Sequence, residues 1–157
     1  MNKTTFFTLA LFALLCSVFS GCKKDANRED LLTKGFWKVD DITFDNVVGT
    51  PFGGDLAGEL EDYSNCARSV ELSCEDNGDW TYGGGEDCIF EDAYNSLGAW
   101  SFSPSQDNLT LDNGSFTEDW EIISISGNTL KVKFYDCTSC GGQYSVSFYV
   151  TLILKHG

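Results

Sequence analysis

The chain has 157 residues, a net charge of −14 and a hydrophobic fraction of 42%. That length suits a single domain beside any leader, and the acidic balance excludes the basic footprint of a nucleic-acid binder or of a protein adsorbed on anionic lipid. An aromatic content of 14% argues against disorder despite the charge.

Lys3 precedes an almost wholly apolar run from Phe6 to Phe19. A membrane-spanning helix needs about 20 such residues, so this run is read as a leader, not a span. Small residues, Ser20 and Gly21, come directly before Cys22. A peptidase needs small side chains there, because the scissile backbone must lie flat in its cleft. Phe19-Ser20-Gly21-Cys22 resembles the lipobox of bacterial lipoproteins, although that family prefers Leu where Phe19 stands. The resemblance implies a signal peptide over residues 1–21, cleavage before Cys22 and lipid (palmitate or a similar acyl chain) on its thiol. At about 0.8 kcal/mol per buried methylene, two or three chains hold a protein on a membrane. The bland alternative is an ordinary secretory signal with Cys22 merely nearby. Cleavage removes Cys16 and Lys3 and no acid, so the mature chain is one unit more negative. Lys23, not Asp, follows the cysteine, which under the best-known sorting rule of that family points to the outer membrane, with the leaflet left open.

Residues 22–30 read as a polar tether, with one helical turn expected over Arg28 to Thr33. The barrel domain is expected over residues 31–157. Gly35-Phe36-Trp37-Lys38-Val39 begins a strand. The apolar parity switches after Asp40-Asp41 to Ile42 and Phe44, which predicts a bulge or a bend. Val47 to Asn65 reads as an insertion carrying a short helix over Asp55 to Tyr63, with Leu56 and Leu60 on one face. Arg68 to Cys74 alternates, with Val70, Leu72 and Cys74 inward, and Asn77-Gly78 supplies a tight turn to the strand of Trp80 and Tyr82. Gly98 to Phe102, Leu109 to Leu111, Phe116 to Ile125 (with a phase shift near Ile122 and Ile123), Leu130 to Tyr135 and Tyr144 to Leu154 complete about eight short strands. Such spacing predicts an all-β, antiparallel up-and-down barrel, closed so that no edge stays unpaired.

Gly35-Phe36-Trp37 is similar to the Gly-x-Trp signature on the first strand of lipocalins, and Gly98-Ala99-Trp100 is a second copy. The order of elements from Leu31 to Lys155 resembles the lipocalin-like domains of bacterial lipoproteins. The resemblance implies a lipocalin-like barrel with a short N-terminal helix. It also implies that a basic side chain of the last strand covers the first indole, for which Lys155 is the candidate.

The exported chain keeps Cys66, Cys74, Cys88, Cys137 and Cys140, an odd number that suits disulfides with one thiol left single. Cys66 and Cys88 bracket the open end of the Arg68–Tyr82 hairpin, where similar domains often carry cysteines, and are expected to pair. Cys137-Thr138-Ser139-Cys140 lies between strands, not at the helix N-terminus a redox centre needs, so a loop-closing disulfide is expected there. Exchange of partners, such as Cys74 with Cys137, stays open.

No catalytic set emerges, and the chain is read as not an enzyme and without a cofactor. His156 is the only histidine; it leaves a zinc site with Cys137 and Cys140 short of ligands, and a Ser/His/Asp triad poorly placed. The acid pairs Glu59/Glu61/Asp62, Glu86/Asp87 and Glu91/Asp92 lack an EF-hand register and read as solvated loop charge. Trp37, Trp100, Phe102, Phe134, Phe148 and Val150 are expected inside the barrel, where they either fill it or line a cavity. The leading expectation is a lipid-anchored envelope lipoprotein whose barrel binds a small hydrophobic ligand or an envelope partner near the Thr50–Tyr63 insertion. The alternative is a solid barrel that engages another envelope or secreted protein through its acidic loops.

Overall fold

The fold comes from a computed structural model, which describes residues 27–84, 88, 97–138 and 145–157. Helix α1 (Arg28–Leu32) is capped by the Asn27 side chain and carries Glu29 and Asp30 in its first turn, where the helix dipole favours acids. Strand β1 (Phe36–Gly49) leads into helix α2 (Leu56–Ser69). Then follow β2 (Val70–Cys74), β3 (Asp79–Gly84), β4 (Leu97–Phe102), β5 (Asn108–Asp112), β6 (Thr117–Ile125), β7 (Thr129–Thr138) and β8 (Val146–His156). The eight strands pair in sequence order into a closed antiparallel barrel, as expected. β1 closes it by pairing with both β2 and β8.

Both parity switches in the sequence are register shifts in the sheet. One lies between Val39 and Asp41 on β1, the other between Ile122 and Ser124 on β6. In each case an unpaired residue restores the apolar side chains to the inner face. β8 shows the cleanest pattern, with Val146, Phe148, Val150, Leu152 and Leu154 buried in strict alternation. The insertion helix differs from expectation. It runs on to Ser69, so the next strand starts at Val70, not Arg68. The reason is packing: Leu60, Tyr63 and Ala67 repeat at helical spacing and all touch the core, while Cys66 is buried in a second, smaller cluster.

One end of the barrel is closed by α1. Trp37 is fully buried there, and its indole Nε1 donates to the Leu32 carbonyl at 2.9 Å. Arg28 ties the helix to the β4–β5 turn through Asp107 at 3.1 Å and the Gln106 carbonyl. The residue that covers Trp37 is His156, ring centroids 4.4 Å apart, and not Lys155. The alternation of β8 decides this: His156 continues the inward set of Leu152 and Leu154, while Lys155 points outward and pairs with Asp40 at 2.8 Å. Gly35 has φ +152°, and a Cβ there would stand 3.1 Å from the His156 ring, so a side chain at this position would be strained and would press on the histidine. The second Gly-x-Trp works differently. A Cβ on Gly98 would lie 2.0 Å from the Asp112 carbonyl and 2.7 Å from Trp80 Nε1. Gly98 thus makes room for a neighbouring indole, whose Nε1 donates to Asp112 at 3.3 Å.

Cys66 and Cys88 form the expected disulfide, with Cα atoms 4.5 Å apart. Cys137 is also disulfide-bonded, and Cys140 lies outside the described residues. Cys74 is a free thiol in the core, which excludes its pairing with Cys137. Burial, with the Glu75 charge adding to it, pushes the Cys74 pKa up to about 12. Because the thiolate is the reactive form, Cys74 is expected to stay unlabelled by a thiol reagent at pH 8 in the native protein and to react in urea. Fast native labelling at Cys74 would contradict its placement.

Candidate functional site

At the end opposite α1, helix α2 lies against the inner wall formed by β1, β7 and β8. The helix starts where Asp55 accepts from the Gly58 N–H at 3.0 Å. Its Tyr63 ring meets Phe44 and Phe148 edge-on, at 5.7 and 5.3 Å, and those two rings meet each other at 5.3 Å. The Tyr63 hydroxyl donates to Asp136 Oδ2 at 2.5 Å. One turn earlier, Glu59 accepts from the Thr138 hydroxyl, while its second oxygen, Oε2, is buried without a partner. Asp136 and Thr138 take inward positions because they continue the alternation of Leu130, Val132 and Phe134 along β7.

Glu118 extends the same polar patch onto β6. It shares the inner face with Trp120 and Ile122, and its Oε2 accepts from Trp120 Nε1 at 2.9 Å. Burial raises the Glu118 pKa; the Trp120 hydrogen bond lowers it, and the Asp136 charge raises it again. Burial also holds the Tyr63 hydroxyl well above the usual tyrosine range, with the Asp136 charge and hydrogen bond next in weight. A carboxyl whose folded pKa is raised favours the fold at low pH and costs stability as pH climbs through the folded value. Glu118→Gln keeps an acceptor for Trp120 and removes that cost. The variant is expected to be more stable than the parent at pH 8 and close to it at pH 4, read from urea midpoints. A variant less stable at both pH values would refute this account of Glu118.

The six aromatic and aliphatic residues expected to fill the barrel or line a cavity are spread over three places. Phe134, Phe148 and Val150 are neighbours on the inner wall, Phe134 opposite Val150 in register and stacked on Trp120 at 5.1 Å. Trp37 is committed to the closed end. Trp100 and Phe102 meet edge-on at 5.4 Å and border an open cleft of about 460 Å³, whose rim includes Glu29, Asp76, Asn77 and Gln106. Trp100 Nε1 is fixed there by the Glu75 carbonyl at 2.9 Å.

The family described as lipocalin-like domain matches residues 33–132, more than half of the chain. This chain belongs to the lipocalin-like domain family. No curated protein matches it. Lipocalin-like barrels are typically binding folds, and the family match assigns no activity by itself.

In this lipocalin-like barrel the residues that sequence reasoning passed over are Tyr63, Glu118 and Asp136. For the two acids the signal was present, since a carboxylate at an inward position of an apolar strand alternation is out of pattern. Of the acid groups singled out in the sequence, Glu59 reaches the barrel wall, whereas Glu61 and Asp62 are exposed. Glu86, Asp87, Glu91, Asp92, Cys140, Cys16 and the whole Phe19–Cys22 segment lie outside the described residues. Among the described residues, no group of three or more His, Cys, Asp or Glu is arranged to hold a metal ion, and no helix is long and apolar enough to cross a membrane.

Proposed function

We propose that this lipocalin-like domain is a lipid-anchored binding module of the cell envelope that holds a small, largely apolar molecule at the α2 end of its barrel. The observation that carries the reading is the divided interior. The α1 end is stoppered by Trp37 and His156, while the α2 end is walled by Phe44, Phe148 and Tyr63 with Glu118 and Asp136 among them. An apolar ligand body fits the aromatic wall, and a polar group on it would face the two carboxylates. Titration with Nile red, a neutral apolar dye, tests this. Saturable fluorescence gain, abolished by Phe148→Trp or Phe44→Trp at the wall, is the expected result. A dye that ignores the wall substitutions, or never saturates, would overturn it.

A solid-barrel reading has its own support. Trp120 stacks on Phe134 and meets Tyr82 edge-on at 6.4 Å, so rings occupy the barrel's middle. In that case the chain works through its acidic loops on another envelope or secreted protein, in keeping with a net charge of −14. Native mass spectrometry of protein taken from a lipid-rich extract separates the two readings. A retained small molecule supports the container; apo protein with a co-purifying partner supports the accessory role.

Anchoring rests on the Phe19-Ser20-Gly21-Cys22 pattern, with the outer membrane as the proposed destination. Cys22→Ser is expected to release a soluble or unprocessed form. Unchanged membrane retention of Cys22→Ser would remove the anchor.

A further inference from the structure

We propose that α2 is a hinged lid on the barrel, pinned at its C-terminal end and latched at its N-terminal end. The pin is the Cys66–Cys88 disulfide, set where the helix passes without a loop into β2 at Val70. The latch is made by two side chains of the earlier turns, Tyr63 on Asp136 and Glu59 on Thr138. Both acceptor and donor on the barrel side belong to the inward face of β7, so the latch closes over the interior and not over the outer wall.

Three further features suit a lid that opens as a unit. Cys66 is the one buried residue of α2; Leu60, Tyr63 and Ala67 are only partly buried against the core. Strand β8, by contrast, buries every second residue. A helix with a single fully buried residue belongs to the less stable part of a fold, where local opening occurs without global unfolding. The chain before the helix can follow such a motion. Gly53 and Gly54 sit at φ +73° and +80° in a short 3-10 turn between the end of β1 and the Asp55 cap, where an added Cβ would meet nothing within 4 Å. Finally, the Tyr63 hydrogen bond ends on a carboxylate, so it is worth more than a neutral one and releases as a discrete contact.

Opening about the Cys66 end would uncover Phe44, Phe148, Asp136 and Glu118 together, the same wall assigned above to the ligand. The lid rests on that reading only for its purpose; its motion can be measured without any ligand. Hydrogen exchange on the intact protein is the test. In the parent, amides of residues 59–67 are expected to exchange through openings insensitive to low urea, faster than those of Val70–Cys74 and of β8. Tyr63→Phe should speed α2 about tenfold or more, the scale of a lost hydrogen bond to a charged group, while leaving β8 unchanged. Asp136→Asn, which keeps an acceptor but not the charge, should fall between. Exchange of α2 together with β8 in the parent, or no acceleration in Tyr63→Phe, overturns the lid. Nile red then addresses its purpose. Faster dye entry in Tyr63→Phe supports gating, and equal entry rates despite faster exchange overturn gating. Absence of dye binding in both proteins sinks the container reading, while the exchange result alone still decides whether α2 opens.

Discussion

Trp37→Ala is expected to destabilise the barrel by about 4 kcal/mol, within the range of about 3–5 typical for a buried tryptophan cut to alanine. Three losses add at this position. The indole is wholly inaccessible to solvent, so a large cavity opens at the closed end. The Leu32 carbonyl loses the Nε1 donor that fastens α1 to the barrel. The His156 ring loses the surface it packs on, and its buried Nε2 has no hydrogen-bond partner to hold it in place instead. Against a total stability of about 5–15 kcal/mol for a domain of this kind, the change is a large fraction. Trp37→Phe separates the terms, since it keeps much of the packing and loses the hydrogen bond, and it should cost about 1–2 kcal/mol. Urea unfolding followed by the fluorescence of Trp80, Trp100 and Trp120 reads both variants. A Trp37→Ala protein within about 1 kcal/mol of the parent would mean that the stopper is not structural, and α1 would then need another anchor.

That Trp37 lies inside the barrel was expected from the resemblance of Gly35-Phe36-Trp37 to the lipocalin signature, and the structure buries it. What covers it was not foreseen. Lys155 fitted a family habit, whereas the period of β8 assigns position 156 to the interior. The same arithmetic recovers Asp136 and Glu118. Read along β7, the inward set is Leu130, Val132, Phe134, Asp136 and Thr138; read along β6, it is Glu118, Trp120 and Ile122. Searching for acids that are neighbours in sequence missed both, because sheet pairing unites residues that are far apart in the chain. The strands themselves were readable because period-two alternation survives a bulge with only a change of phase, as at Asp40 and at Ile123.

Helix α2 shows where such reading fails. Arg68, Val70, Leu72 and Cys74 share a parity, so the period of the strand extends backward over the last helical turn and hides its end. The competing signal, Leu60, Tyr63 and Ala67, is spread over both patterns and becomes decisive only when the barrel supplies a surface to pack on. The disulfide was foreseeable for a related reason. The Asn77-Gly78 turn, with Gly78 at φ +89°, fixes the hairpin register and pairs Val70 with Gly84, which brings the segments flanking β2 and β3 together at one end.

Removing that bridge is the second large change. The double variant Cys66→Ser/Cys88→Ser is expected to lose about 3 kcal/mol, the entropy scale for a crosslink spanning this length of chain; the cysteines are 22 residues apart in sequence. Both cysteines are replaced together so that no new thiol can attack the bond at Cys137. The cluster around the bridge is small, Val70 with Tyr82 packed against it, so lost packing adds little to the loss. Urea midpoints compared under non-reducing conditions measure the effect. The hinge adds a sharper expectation. In the parent, freeing Tyr63 from Asp136 lets the helix swing but not leave, because the pin remains; in the bridge-free protein nothing holds its far end. Tyr63→Phe should therefore cost more in that background than in the parent, a coupling beyond the roughly 0.5 kcal/mol within which independent sites add. Additive losses would show that pin and latch act on separate events.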